Sequence, residues 1–242
     1  MYSTKKTTKI SLIIPIYNEE GRIHKLNTVW SYINNKKYIK ELIVVDDGST
    51  DRTALFLNIF KSKTKCVVVS YRKNKGKGYA VKKGILSARG SHMVFMDVDL
   101  STPLKMLGKL KKMARTADII VGTRKNSKAI LLRRQSKIRE VMGKFFTYIS
   151  QKIIGVGVSD FTCGFKCFTK KAAKKIFKKQ RINRWAFDAE SLFLAKKYGF
   201  SIREFPIEWK DEKGTKVRFP QDAIQSFIDL IQIRLNEVLE RY

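Results

Sequence analysis

The sequence predicts an α/β fold: a mostly parallel, mixed central sheet with helices on both faces and amphipathic helices toward the C-terminus. Two observations carry this. Short apolar runs alternate with helix-length segments through the first half of the chain, as in sheets built from strand–helix–strand units. After Gly122 the pattern turns to longer segments with a helical period.

The elements follow in order. Ile10–Ile16 is a short apolar run and reads as a buried strand, followed by a helix over Glu19–Tyr32. Glu41–Asp46 is a second strand, ending in Asp-Asp-Gly; Ser49 or Asp51 caps the next helix, to about Phe60. Cys66–Ser70 is a third strand, Lys77–Arg89 a helix closed by Gly90, and His92–Asp97 a fourth strand. Pro103 opens a helix to about Ala114, and Asp118–Val121 is a fifth strand. Residues 129–154 approximate a 3.6 period through Ile130, Leu131, Ile138, Val141, Met142, Phe145, Phe146, Ile149 and Ile153, with Lys and Arg opposite. Helices at 169–178 and 187–198, a strand at 201–207 and an amphipathic helix at 221–239 complete the chain. No linker, repeat or low-complexity stretch divides it, so one domain is expected over 1–242.

The 242 residues suffice for a substantial core, and 43% hydrophobic content is ordinary. The net charge of +30 is not, and it attracts polyanions: nucleic acid, anionic lipid or phosphorylated substrates. The alternative is a genome that writes Lys wherever a surface tolerates it. Cys66, Cys163 and Cys167 make no disulfide framework, and neither His24 nor His92 falls at zinc-ligand spacing, so reduced thiols and a cytoplasmic location are expected. No signal peptide and no apolar run of spanning length is visible.

Three segments carry chemistry. In "SLIIPIYNEEGRI" (11–23), Pro15, Tyr17 and Glu19 sit at a strand's carboxyl end, where ligands of parallel sheets bind. A ring there can stack on a base and a carboxylate can hold ribose; alternatively Asn18 and Glu19 only begin a helix. In "ELIVVDDGSTDRT" (41–53), Asp46 can accept a base N–H, or serve the turn alone. In "GSHMVFMDVDLSTP" (90–103), Asp97 and Asp99 follow a buried strand, and where the chain bends both can face one divalent cation, for which oxygen ligands suit Mg²⁺ or Mn²⁺.

In this order the segments resemble the family 2 glycosyltransferases, of GT-A fold, and within them the polyprenyl- and dolichyl-phosphate sugar synthases. The likeness runs from about Ile10 to Leu239 and includes "KNKGKGYAVKKGILSARG" (73–90), "VGTR" (121–124), "SDFTCGFKCF" (159–168), "WAFDAE" (185–190) and "PIEWKDEKGTKVR" (206–218). The resemblance implies a nucleotide-binding half, 1–122, and an acceptor- and membrane-facing half, 123–242. It assigns Pro15, Tyr17, Glu19 and Asp46 to the nucleoside, Lys77 to a loop bordering the nucleotide, and Asp97 and Asp99 to the metal. Arg124 and the basic pair Lys216 and Arg218 go to the donor phosphates, and Asp188 and Glu190 to the sugar. Ser101 stands where many dolichyl-phosphate mannose synthases have a metal-binding Gln. The eukaryotic glucose synthases start with a membrane anchor that is not visible here.

This implies a metal-dependent, inverting transfer of glucose or mannose from a nucleoside-diphosphate sugar, UDP-glucose before GDP-mannose, to a dolichyl or polyprenyl phosphate. Charge developing on the leaving diphosphate calls for a divalent ion and arginine. A phosphate acceptor is already anionic near neutral pH, since its second pKa is ~6, and needs no strong base; a sugar hydroxyl would need Asp188 or Glu190. The expected setting is peripheral, at the cytoplasmic face of a membrane, with residues 130–154 and 221–239 on an anionic surface, unless their apolar stripes face the core. The rivals are a soluble or polymeric sugar acceptor and, from another class, nucleic-acid binding, for which the chain shows no known motif.

Overall fold

The computed structural model describes residues 7–212, 214, 216–218 and 220–242. Strands β1 (Ile10–Ile16), β2 (Ile39–Asp46), β3 (Val67–Ser70), β4 (His92–Met96) and β5 (Ile119–Thr123) alternate with helices α1 (Lys25–Ile33), α2 (Thr53–Lys63), α3 (Lys77–Ser87) and α4 (Lys105–Met113). Then come β6 (Ile130–Arg133), α5 (Lys137–Ile154), β7 (Phe165–Thr169), α6 (Lys170–Lys179), α7 (Phe187–Lys197), β8 (Ile202–Pro206), β9 (Glu208–Lys210) and α8 (Gln221–Val238). Seven strands form one sheet in the order β3-β2-β1-β4-β7-β5-β8. Only β7 runs antiparallel to its neighbours, β4 and β5, so the two halves of the chain share one sheet.

The period-2 alternation of strand side chains sorts the core into two layers. Ile13, Ile43, Val45, Met93, Phe95, Ile119 and Val121 face α3, α6 and α7. Leu12, Ile14, Leu42, Val44, Val94 and Ile120 face α1, α2 and α4. Each such fully buried side chain contributes about 1.5–3 kcal/mol, which is why these runs are apolar throughout.

Three expectations change. The helix expected from Glu19 starts only at Lys25, because residues 19–24 are spent on the turn that carries Glu19 into the site. The helix expected over 129–154 is two elements: Ile130–Arg133 pairs in parallel with β9, and α5 begins after the Ser136 cap. Strand β7 escaped notice because Lys166 interrupts its apolar run. Lys166 is nevertheless fully buried, its ammonium donating to Phe161 O at 2.9 Å, Cys163 O at 2.8 Å and Asp188 Oδ1 at 2.5 Å. For α8, where the sequence leaves both a surface and a core role open, Leu230 and Ile233 pack inward with Asp222, Ser226, Asp229 and Asn236, while Ile224, Ile228, Ile231 and Leu235 stay outside, so the helix is apolar on both faces.

Among the described residues no helix is long and apolar enough to cross a membrane. The three cysteines are free and buried.

Candidate active site

A cleft of about 1760 Å³ opens at the carboxyl ends of β1 and β4, where the strand–helix pattern places ligands. It exceeds the ~300–1,000 Å³ of a typical small-molecule pocket, leaving space for two substrates.

At its β1 end the chain turns at Asn18, which adopts positive φ of 50°. The turn is fixed to the one after β2: Asn18 Oδ1 accepts from Thr50 N at 2.8 Å, and Glu19 N donates to Thr53 Oγ1 at 2.7 Å. Pro15, Tyr17 and Glu19 therefore line the cleft. Burial pushes the Glu19 carboxyl up, against the opposing Arg22 guanidinium, which grips it with bonds of 2.7 and 2.8 Å.

The two aspartates after β2 divide their work. Asp46 lies behind the cleft wall and accepts from Ser49 N at 3.0 Å and Ser49 Oγ at 2.5 Å. Asp47, which the sequence reading passed over, accepts from Tyr71 Oη, Asn74 Nδ2, Lys75 N and Gly76 N, each at 2.8 Å, and so pins the loop that leads into α3. Gly48 makes this possible: at φ of 70°, a Cβ there would lie 2.7 Å from Lys73 C.

Asp97 and Asp99 both reach the cleft. Lys77 Nζ meets Asp97 Oδ1 at 2.7 Å. Asp99 is held by Ser101 N, which donates to Oδ1 at 2.8 Å. Burial first, then the Asp97 charge, pushes the Asp99 carboxyl above its ordinary range. Among the described residues no cluster of three or more His, Cys, Asp or Glu forms a closed metal cage. Two cleft-facing carboxylates nevertheless suit Mg²⁺ or Mn²⁺, which are commonly held by one or two carboxylates together with substrate phosphates. Room for them is specific: a Cβ on Gly164 would sit 2.0 Å from Asp97 Oδ2. Gly164→Ala is therefore expected to displace that carboxylate and weaken Mn²⁺ binding by roughly tenfold or more, read by calorimetry, with circular dichroism unchanged.

Arg124 projects from the end of β5. Asp160, fully buried, grips it in a fork, with Nε to Oδ2 at 2.7 Å and Nη2 to Oδ1 at 2.8 Å, and its guanidinium lies 5.2 Å from the Trp209 ring centroid. Burial alone would raise the Asp160 carboxyl, but the Arg124 charge and hydrogen bonds carry it down to about 2. Asp188 lines the cleft between Lys166 behind it and Lys77 in front. On the basic loop, Lys216 Nζ donates to Asn18 O at 2.6 Å and Arg218 pairs with Asp222 at 3.1 Å. Lys213 and Thr215 of that loop lie outside the described residues.

Glu190 is a correction. It lies two residues beyond Asp188 on α7, roughly 200° around the helix. It is fully buried away from the cleft, accepting from Arg181 N and Ile182 N at 2.9 Å and Tyr242 Oη at 2.7 Å. It secures the 180–182 turn and the C-terminus. Asp160 and Lys166 went unassigned in the sequence, although polar residues inside the otherwise apolar 158–168 stretch were a signal.

Comparison with known proteins shows the family and the fold. Residues 11–177 match the pattern described as "Glycosyl transferase family 2". The chain is 32% identical over 245 residues to a dolichyl-phosphate beta-glucosyltransferase of Dictyostelium discoideum, covering 95% of this chain and 75% of that protein. It is 31% identical over 245 residues to that of Homo sapiens, covering 95% and 76%. In fold it resembles glucosyl-3-phosphoglycerate synthase from Mycobacterium tuberculosis. The form with Mn²⁺, uridine diphosphate and glucosyl-3-phosphoglycerate gives a TM-score of 0.67 at 18% identity over 97% of this chain and 80% of that one. A form with Mg²⁺ and uridine diphosphate gives 0.69 at 17% identity, over 93% and 79%. With the match spanning most of its length, the chain belongs to glycosyl transferase family 2.

Proposed function

We propose that the chain is an inverting glucosyltransferase that moves glucose from UDP-glucose to dolichyl or another polyprenyl phosphate, using Mg²⁺ or Mn²⁺, at the cytoplasmic face of an anionic membrane. The carrying observation is the lining of the cleft. One cavity is lined both by Asp97, Asp99 and Arg124 and by the apolar side chains of Met142, Phe146 and Phe227. An amphiphile with a phosphate head and a hydrocarbon tail suits that mixed lining. The names of the relatives support the same acceptor and sugar.

In this reading the Tyr17 ring carries the uracil and Glu19 the ribose, while Asp46 steadies the adjoining turn. Lys77, Arg124, Lys216 and Arg218 supply positive charge to the diphosphate, and Arg124 is oriented in advance by Asp160. Asp188 accepts from sugar hydroxyls. Asp97 and Asp99, with Ser101 fixing Asp99, hold the divalent ion, which when bound offsets charge on the leaving group. An acceptor phosphate oxygen forms the new bond to the anomeric carbon as the bond to UDP breaks, and the electron pair leaves with UDP. One direct displacement inverts the anomeric carbon. Residues 1–122 hold the nucleoside and the divalent ion in this scheme, while 123–242 supply Arg124, Asp188, Lys216 and Arg218 to the donor and also the face that meets the acceptor.

The test is an assay of UDP-glucose and GDP-mannose with short polyprenyl phosphates and either metal, following lipid-linked product. Product is expected from UDP-glucose, and chelator should abolish it. Transfer to soluble sugars with none to lipid phosphate would overturn the acceptor assignment.

A further inference from the structure

Among the described residues, twelve of the seventeen exposed large hydrophobics lie between Ile130 and Tyr148 or between Ile224 and Leu239. Exposed apolar residues scattered singly need no explanation, but a concentration marks an interaction site. On α8 the stripe runs through Ile224, Ile228, Ile231, Leu235 and Val238, 48–76% exposed, while the buried face of the same helix mixes Leu230 and Ile233 with Asp222, Ser226, Asp229 and Asn236. A surface helix usually keeps its outward face polar. On α5, Ile138, Val141, Phe145 and Tyr148 are 51–72% exposed. The Phe227 ring joins the two helices, 5.8 Å from the Phe145 centroid and 5.6 Å from that of Phe146.

We propose that the outward faces of α5 and α8 together form the surface by which the protein docks on an anionic lipid bilayer, with the cleft opening onto that surface. This rests on the reading of a lipid-phosphate acceptor and adds which face meets the lipid. Charge selects the partner. Between Lys128 and Ile154 there are seven Lys or Arg and one acid, on a chain of net charge +30. On α8, Asp222 and Asp229 are turned inward and Glu237 is paired with Arg234 and Lys197. The cations lie on the α5 side, since α8 carries Arg234 as its only basic residue. An apolar stripe flanked by the cations of α5 and continued by the apolar face of α8 suits the boundary between anionic headgroups and acyl chains. A second copy docking through the same face would bring two such sets of cations together and be repelled. Continuity supports the orientation: Ile138, Tyr148 and Phe227 also line the cleft, so a polyprenyl tail could pass from its apolar end into the bilayer without crossing water.

The test is flotation with phosphatidylcholine vesicles, with and without phosphatidylserine, at low and moderate salt. Three forms are compared: wild type, a face variant carrying Val141→Glu, Ile231→Glu and Leu235→Glu, and a control carrying Leu55→Glu and Ile59→Glu on α2. None of these positions lines the cleft, so circular dichroism and transfer to a short, water-soluble polyprenyl phosphate should be unchanged. Wild type and control are expected to float with anionic vesicles and to be released by salt. The face variant should bind at least roughly tenfold more weakly and lose transfer to vesicle-embedded acceptor. If the wild type floats and the face variant floats equally well, the docking face is elsewhere, while the lipid-acceptor reading stands. If the wild type ignores anionic vesicles yet uses soluble polyprenyl phosphate, membrane docking itself fails. A wild-type dimer that the face variant converts to monomer, with flotation unchanged, would make the face a copy interface and overturn the proposal.

Discussion

Asp99→Asn is expected to lower sugar transfer by roughly a thousandfold while leaving the fold intact. Asparagine keeps the shape and an oxygen for the Ser101 N–H, which donates to Asp99 at 2.8 Å, and removes only the charge. Without a cation between them, Asp97 and Asp99 repel. Lys77 offsets Asp97 directly, at 2.7 Å, whereas Lys25 spends its ammonium on the Asp99 backbone oxygen at 2.6 Å. Burial, then Asp97, raises the Asp99 pKa above its unfolded value. The folded state therefore binds the proton more tightly, and ionised Asp99 costs stability as pH rises through that interval. Removing the charge should leave the melting temperature at neutral pH unchanged or higher, and Mn²⁺ titration should show the affinity lost. Near wild-type turnover would remove Asp99 from the metal site. A lower melting temperature would make it a structural group instead.

The sequence made the donor side of the fold legible for a physical reason. Buried parallel strands are uninterrupted apolar runs, and the residues at their carboxyl ends, such as Tyr17 and Asp97, are placed by the chain direction alone. The acceptor side was harder. Phe165–Thr169 is a central strand, yet Lys166 disguises it, since the partners that make its burial tolerable are Asp188, 22 residues away, and two backbone carbonyls. Ile130–Arg133 continues the apolar spacing of α5 and is drawn out of the helix only by pairing with β9, which no local pattern announces. Glu190 shared a short motif with Asp188, but position on a helix separates two residues that spelling joins. The α8 stripe was visible as a period while its direction was not, because periodicity identifies a face without saying what the face meets.

The second large effect is expected at Asp160. The carboxyl is fully buried, and its pKa of about 2 lies below the ordinary value of 3.8 because Arg124 outweighs the burial. A depressed carboxyl stabilises the fold above its unfolded pKa, and that contribution is lost as pH falls from about 4 toward 2. Asp160→Asn leaves the Arg124 charge, 18% exposed at the cleft, facing a neutral amide, which costs about 3 kcal/mol, the low end for breaking a buried pair. For a chain of this size that is a fall of roughly 10 °C in melting temperature. The acid limb of the stability curve should also flatten between about pH 4 and 2, measured by thermal melts across pH. Because the guanidinium would lose its fork, turnover measured well below the melting temperature should fall by about a hundredfold. Arg124→Lys separates the two consequences. It keeps a cation beside Asp160 but not the planar pair of donors, so its melting temperature should lie nearer the wild type while turnover drops as far. If Asp160→Asn melted early yet turned over normally in the cold, the pair would serve the fold alone and Arg124 would lose its place at the donor phosphates.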